Sequence, residues 1–255
     1  ALTGLLLALN LPATLPLWKA AVGCIFAIAV VKQLFGGLGC NFANPAITGR
    51  VFLLLSFAGD MTTWVKPFYY HGLSIGNQLS SSAGSLDLDA VTSATPLVTG
   101  TESLSNLFLG NVGGCIGETS ALALLLGGLF LIFTRVISPS TPIAYLGSLG
   151  ILTFFHALAT GGSLTEVPYA LLSGGVMIGA FFMATDYVTT PITTKGKWIF
   201  GIGCGILTFV IREFASMPEG CSFSILLMNL LTPYIDKFTM TKPLGAKPIK
   251  QKEEA

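Results

Sequence analysis

The sequence predicts an all-α, polytopic helical membrane protein, and three observations carry that prediction. Apolar residues make up 52% of the chain against 10% charged ones, with a mean hydropathy of +0.76; this is far from the composition of ordinary soluble domains. Apolar runs follow one another along the whole chain. Glycine, proline and asparagine punctuate them, rather than the alternation of strands, and backbone groups placed in hydrocarbon need partners within their own segment, so helices are the reading.

The runs are Leu2 to Leu9, Leu17 to Leu34, Pro45 to Ala58, Thr119 to Ile137, Pro142 to Leu158, Tyr169 to Thr185, Lys197 to Ile211 and Ser222 to Ile235. They make about eight spans or part-spans. Several fall short of the roughly 20 residues that a simple spanning helix needs. With 30 glycines in the chain, short runs predict close helix packing and broken helices around an internal site. The chain opens on Ala1-Leu2-Thr3-Gly4 with no Met, no basic n-region and no small-residue cleavage site. It is therefore expected to be the middle of a longer protein whose first spans precede residue 1.

The positive charges orient the runs. The tail after Asp236 carries Lys237, Lys242, Lys247, Lys250 and Lys252, and the positive-inside rule makes it cytoplasmic. Counting backwards puts Lys195, Lys197, Arg135, Arg50 and Lys32 on the same side, leaving Lys19, Lys66 and Arg212 outside. The expected organisation is helices over 1–59, an extracytoplasmic loop over 60–117, helices over 118–236 and a cytoplasmic Lys-rich tail over 237–255. A net charge of +1 points to neither nucleic acid nor an acidic soluble partner. Cys24, Cys40, Cys115, Cys204 and Cys221 are widely spaced with no C-x-x-C, so no disulfide framework, zinc site or iron–sulfur ligand set is read, and small apolar packers are expected.

Within the long loop, Ser80 to Ser85 reads as linker, and Leu104, Leu107, Phe108 and Leu109 after Ser103 read as a short interfacial helix. Between them lies a small hydroxyl-rich strip, Asp89-Ala90-Val91-Thr92-Ser93-Ala94-Thr95-Pro96-Leu97. Thr95 precedes proline, which disfavours helical backbone and leaves its hydroxyl free for other chemistry. On the residues alone, an ordinary Ser/Thr turn or helix N-cap is the favoured reading, because such residues populate loop ends everywhere.

Thr92-Ser93-Ala94-Thr95, with Asp89 upstream, resembles the flavinylation motif of the membrane subunits of Rnf and Na⁺-translocating NADH:quinone oxidoreductase complexes. Further blocks agree in order: Lys32 to Gly39, Asn44-Pro45-Ala46, Gly117-Glu118-Thr119-Ser120, Gly179 to Asp186 and Pro218-Glu219-Gly220. Over essentially the whole chain they are similar to the D subunits of Rnf, and more loosely to the B-type subunits of the quinone-reducing sodium pump. Ala90 and Ser93 stand where the motif commonly has glycine.

The resemblance implies FMN held through a phosphoester on the Thr95 hydroxyl, placed by a flavin transferase on the extracytoplasmic face. Asp89, Thr92, Ser93 and Ala94 would form the surrounding motif. It implies ten spans in the full protein, a multi-pass place in the prokaryotic inner (plasma) membrane, and a role as an electron-carrying subunit that is not catalytic alone. The implied partners are the other Rnf subunits: a second covalent-FMN subunit, membrane iron–sulfur subunits and soluble-facing subunits that handle ferredoxin and NAD. One flavin at one edge cannot serve a hydrocarbon core of about 30 Å, so a second cofactor is expected, and the resemblance implies that it is a non-covalent flavin of the riboflavin type. Gly36, Gly37, Asn41, Asn44, Asp186, Thr189 and Thr190, in two Gly/Asn/Thr-rich connections on the cytoplasmic side, are where it is expected. Tight turns capped by Asn44 and Asp186 are the other reading of those loops.

Two rivals remain: a B-type subunit of the sodium-translocating NADH:quinone oxidoreductase, and a redox-silent solute channel. Asn44-Pro45-Ala46 looks like half of a water-channel box, but the chain has a single copy. Glu118, Asp186, Arg212, Glu213 and Glu219 are the ionisable residues in or near spans, with Glu118 read as favouring a helix N-terminus and Arg212 and Glu213 as solvated at an outer helix end. His71 and His156 read as loop or packing residues.

Overall fold

The computed structural model describes residues 1–37, 39–64, 102–215 and 220–240. Asp89, Thr92, Ser93, Ala94, Thr95, His71, Lys66 and Glu219 lie outside the described residues. Every described element is helical, and no strand occurs among the described residues.

The first helices are α1 (Leu2–Leu9), α2 (Leu17–Ile25, continuing as a π-helix over Phe26–Gln33), α3 (Pro45–Ser56) and α4 (Ala58–Met61). After the long connection come α5 (Leu104–Leu109), α6 (Ala121–Phe133) and α7 (Ser140–Thr160). The last are α8 (Glu166–Leu172), α9 (Val176–Ile178, continuing as a π-helix over Gly179–Met183), α10 (Thr194–Phe214) and α11 (Gly220–Thr239).

Caps set several boundaries. Asn44 accepts from the amides of Ala46 and Ile47 while Pro45 takes the first helical position, where no amide hydrogen is needed. Ser103, Ser120 and Thr193 cap α5, α6 and α10 by accepting from the amides three residues on. The short helix expected after Ser103 is α5.

Helices α7 and α10 have 21 residues each, about 31 Å of helix. Among the described residues they are the two helices long and apolar enough to cross a membrane alone, and the pair α8 and α9, bent by 63°, has the length and composition of a broken span or a re-entrant loop. The other apolar runs form helices that are shorter, broken or less apolar. Large apolar side chains cover the outside: Phe133, Phe155, Leu158 and Phe214 are all exposed, as a chain solvated by lipid allows.

Close packing follows from small residues. A Cβ on Gly201 would lie 2.6 Å from Ala144 Cβ and 2.7 Å from the Thr141 carbonyl oxygen, and one on Gly205 would meet the Tyr145 carbonyl at 2.7 Å. Gly201 and Gly205, four apart on one face of α10, thus let it lie against α7 backbone to backbone. Gly203, on another face, takes Met228 of α11. The core between them holds Tyr145, Phe200, Cys204, Ile225 and Met228.

Broken helices expose backbone groups that must be satisfied from elsewhere. Arg212 closes the break between α8 and α9 by donating from Nη1 to the Ala170 carbonyl at 2.7 Å and from Nη2 to the Ser173 carbonyl at 3.0 Å. Cys221 donates to the Gly175 carbonyl at 3.2 Å. The expectation that Arg212 is solvated at an outer helix end is corrected here, because the break leaves carbonyls facing that guanidinium.

Candidate functional site

Two polar regions stand out in this apolar body. The first is a cavity of about 540 Å³ between the two glycine- and threonine-rich connections, lined by Lys32, Asn41, Asn44, Asp186, Leu131 and Phe181 among others. Each connection is entered from a π-helical turn, closed by Ala29 O to Leu34 N in one case and Gly179 O to Ala184 N in the other. Such turns locally widen a helix and cluster at functional sites. Asn44 ties the two connections together, its Nδ2 donating to the Met183 carbonyl at 3.1 Å. Asn229 of α11, with its amide turned to satisfy both neighbours, donates to the Thr189 carbonyl and accepts from the Asn44 amide. Thr232 donates to the Thr189 carbonyl at 2.9 Å.

Three of the seven residues expected around this site, Asn41, Asn44 and Asp186, line the cavity. Thr189 and Thr190 stand behind it. The Thr189 hydroxyl donates to Asp186 Oδ2 at 3.0 Å, and Thr190 faces an adjoining cavity of about 210 Å³. Gly36 and Gly37 do not line it; their positive φ angles of 113° and 86° make the turn that ends the π-helix, and Gly39 reaches the cavity instead. Sequence reasoning misses Lys32, which reads only as a flanking charge, and the aromatic wall of Phe181 and Phe182. All three sit on helices, where nothing in a polar-loop search marks them. Burial raises the Asp186 carboxyl above its usual range, against the opposing pull of the Thr189 hydroxyl, the Val188 amide and Lys32.

The basic residues gather at this end. Lys32 lines the cavity, while Arg135 and Lys197 line a second, open cavity of about 500 Å³ that shares Val136, Ile137 and Tyr187 with it. The Tyr187 hydroxyl donates to the Val136 carbonyl between the two. Arg135 closes α6 in a Schellman arrangement, with Arg135 N bonded to Ile132 O at 2.9 Å and Val136 N to Leu131 O at 2.9 Å. Its φ of 58° makes it the one non-glycine among the described residues in the left-handed region, at a cost of about 1 kcal/mol relative to glycine. The opposite end carries the ion pair of Lys19 with Asp60 and the edge-on contact of Trp18 with Phe57. His156 stands 3.8 Å from Glu213 and edge-on to Phe209.

The second polar region is a buried ion pair. Arg50 Nη2 lies 3.7 Å from Glu118 Oε2, with side-chain exposures of 3% and 5%. Arg50 also donates to Asn10 Oδ1 at 3.1 Å, Ser222 Oγ at 3.2 Å and Cys115 Sγ at 3.3 Å. The turn carrying Glu118 is zipped onto the end of α1, with Ile116 N bonded to Leu11 O and Gly117 N to Leu9 O. Two sequence readings are corrected here. Arg50 is no cytoplasmic flank but an interior charge on α3, and Glu118 does more than favour a helix N-terminus. Cys115 and Cys221 are buried as expected of packers, yet both hydrogen-bond to broken backbone.

Known proteins match this chain almost from end to end. The model of the "NQR2, RnfD, RnfE family" matches residues 1–245. The chain is 47% identical, over 99% of its length and 74% of the relative's, to the D subunit of the Na(+)-translocating ferredoxin:NAD(+) oxidoreductase complex of Acetobacterium woodii. It is 43% identical, over 96% of its length and 74% of the relative's, to the D subunit of the proton-translocating ferredoxin:NAD(+) oxidoreductase complex of Clostridium ljungdahlii. To the D subunit of the ion-translocating oxidoreductase complex of Stutzerimonas stutzeri it is 41% identical over 96% of its length and 75% of the relative's.

Proposed function

The chain belongs to the NQR2, RnfD, RnfE family, and on that premise we propose that it is the D-type membrane subunit of an ion-translocating ferredoxin:NAD⁺ oxidoreductase, carrying FMN covalently on Thr95. It is one subunit of a multi-subunit oxidoreductase and not an enzyme alone. The observation that carries the proposal is the agreement of D-type relatives over nearly the whole chain, beside a Thr92-Ser93-Ala94-Thr95 strip that resembles the flavinylation motif with serine in place of its glycine. Its partners are the other subunits of the complex and the flavin transferase. In the transfer, the Thr95 oxygen forms the ester bond to phosphorus, FAD loses AMP, and the hydroxyl proton leaves.

The second flavin is assigned to the cavity of about 540 Å³, a size within the usual range for small-molecule sites. Its chemistry fits. Phe181, Phe182 and Leu131 give apolar walls for a planar ring, and Asn41, Asn44, Asp186 and Lys32 give hydrogen-bonding groups for the ring's polar edge. A flavin there would supply one- or two-electron redox chemistry, while the chain's residues hold position, exclude water and set the local charge. The gathering of Lys32, Arg135 and Lys197 at that end supports a cytoplasmic orientation for it, with Thr95 and the Lys19 and Asp60 end outside.

The test uses chain matured with its flavin transferase. In-gel flavin fluorescence after denaturation should be present in the wild type and absent in Thr95→Ala. Fluorescence persisting in that variant would move the attachment to another residue. Dissociable flavin released on denaturation, and lost in Asn44→Leu, is the corresponding signature of the second site.

A further inference from the structure

We propose that the open cavity where Arg135 and Lys197 meet binds the phosphate of an anionic phospholipid headgroup. The flavin reading uses neither residue for binding. Both cations line the cavity together with Ser138, Pro139, Tyr187 and Ile132. Neither forms an ion pair among the described residues. Two uncompensated cations beside a hydroxyl are the donor set for a phosphate, whose oxygens accept charge-assisted hydrogen bonds from guanidinium, ammonium and hydroxyl groups. Ser138 supplies the hydroxyl, held 2.7 Å from that of Ser140.

The backbone at Arg135 points the same way. Glycine is the default at the residue that closes a helix in the left-handed region. An arginine stands there instead, at φ 58°, and lines the cavity in spite of the strain, as strained positions at ligand sites do. The surroundings select a lipid over a soluble phosphate. Val136 in the lining is exposed, and Phe133, Ile192 and Trp198 are exposed large apolar residues close to it or to other lining residues in sequence. They put acyl chains beside the headgroup, with a tryptophan at the level where membrane proteins favour it.

The experiment measures lipid binding to the full chain in detergent by native mass spectrometry, with phosphatidylglycerol and phosphatidylcholine as probes. The wild type should bind phosphatidylglycerol in preference to phosphatidylcholine. Lys197→Gln should bind it about fivefold more weakly, the value of one basic charge near an anionic headgroup. Arg135→Gly should lose at least as much binding while unfolding at the same temperature or higher, because glycine relieves the left-handed backbone. That combination separates a ligand role from a structural one. Equal binding of the two lipids by the wild type, or wild-type phosphatidylglycerol binding in both variants, overturns the proposal. So does protection of the wild type against thermal unfolding by inorganic phosphate in place of the lipid, which would make the phosphate that of a soluble ligand.

Discussion

Glu118→Gln removes the charge of a carboxylate whose partner cannot reach water. Arg50 would stay buried at 3% exposure, with the neutral groups Asn10, Ser222 and Cys115 still accepting from it. Breaking a buried pair by removing one partner costs about 3–5 kcal/mol, because the desolvation of the remaining charge is no longer offset by the lost attraction. The 3.7 Å separation is longer than a hydrogen bond, and the neutral acceptors remain. The cost therefore belongs at the lower end, about 3 kcal/mol. For a chain of this length that is a fall of about 6–12 °C in unfolding temperature, readable by intrinsic tryptophan fluorescence of the purified chain in detergent. The double variant Arg50→Met/Glu118→Leu should recover most of the loss, since the desolvation penalty of both ions disappears with them. A single variant within about 2 °C of wild type, or a double variant worse than the single, would refute the idea that the buried pairing of Arg50 with Glu118 dominates this region.

Gly201→Leu should destabilise by about 2–3 kcal/mol through overpacking against Ala144 and the Thr141 carbonyl, whereas Gly147→Ala, with nothing within 4 Å of the added carbon, should be neutral or stabilising; the same unfolding assay distinguishes them. Asp186 has its folded-state pKa raised by burial, so the folded chain takes up that proton first as pH falls. The stabilisation from it is complete below the ordinary carboxylate value and is lost as pH rises through the raised one. Asp186→Asn should therefore unfold at a higher temperature than wild type at about pH 8, with the difference vanishing toward about pH 4; an Asn variant less stable at the higher pH contradicts that sign.

Much of the fold was legible in the sequence because its signals are local. Leu2–Leu9 is a helix with the bounds of its apolar run, and Ser103 marks the start of α5 as a cap should. The run from Tyr169 to Thr185 reads as one segment, but the chain breaks at Ser173 to Gly175, where Arg212 and Cys221 from later helices take over the backbone carbonyls. Such a break, satisfied by side chains from distant helices, leaves no signal in its own neighbourhood. The π-helical ends at Phe26–Gln33 and Gly179–Met183 are invisible for the same reason.

The cavity divides similarly. Asn41, Asn44 and Asp186 can be found because polar residues between apolar runs are conspicuous, while Lys32 and Phe181 cannot, since each looks ordinary on its own helix. Arg50 is the sharpest case. Counting charges along the chain treats it as a flank, and only the meeting of α1, α3, the Cys115 to Glu118 turn and α11 makes it an interior ion.

The central claim is a covalent flavin on one named oxygen. Peptide mass spectrometry of the chain matured with its flavin transferase tests it most directly. The account predicts a peptide containing Thr95 that carries the FMN phosphoester increment, with fragment ions placing it on Thr95 and not on Thr92 or Ser93. An unmodified Thr95 peptide from transferase-matured protein, or the increment on another residue, would contradict it.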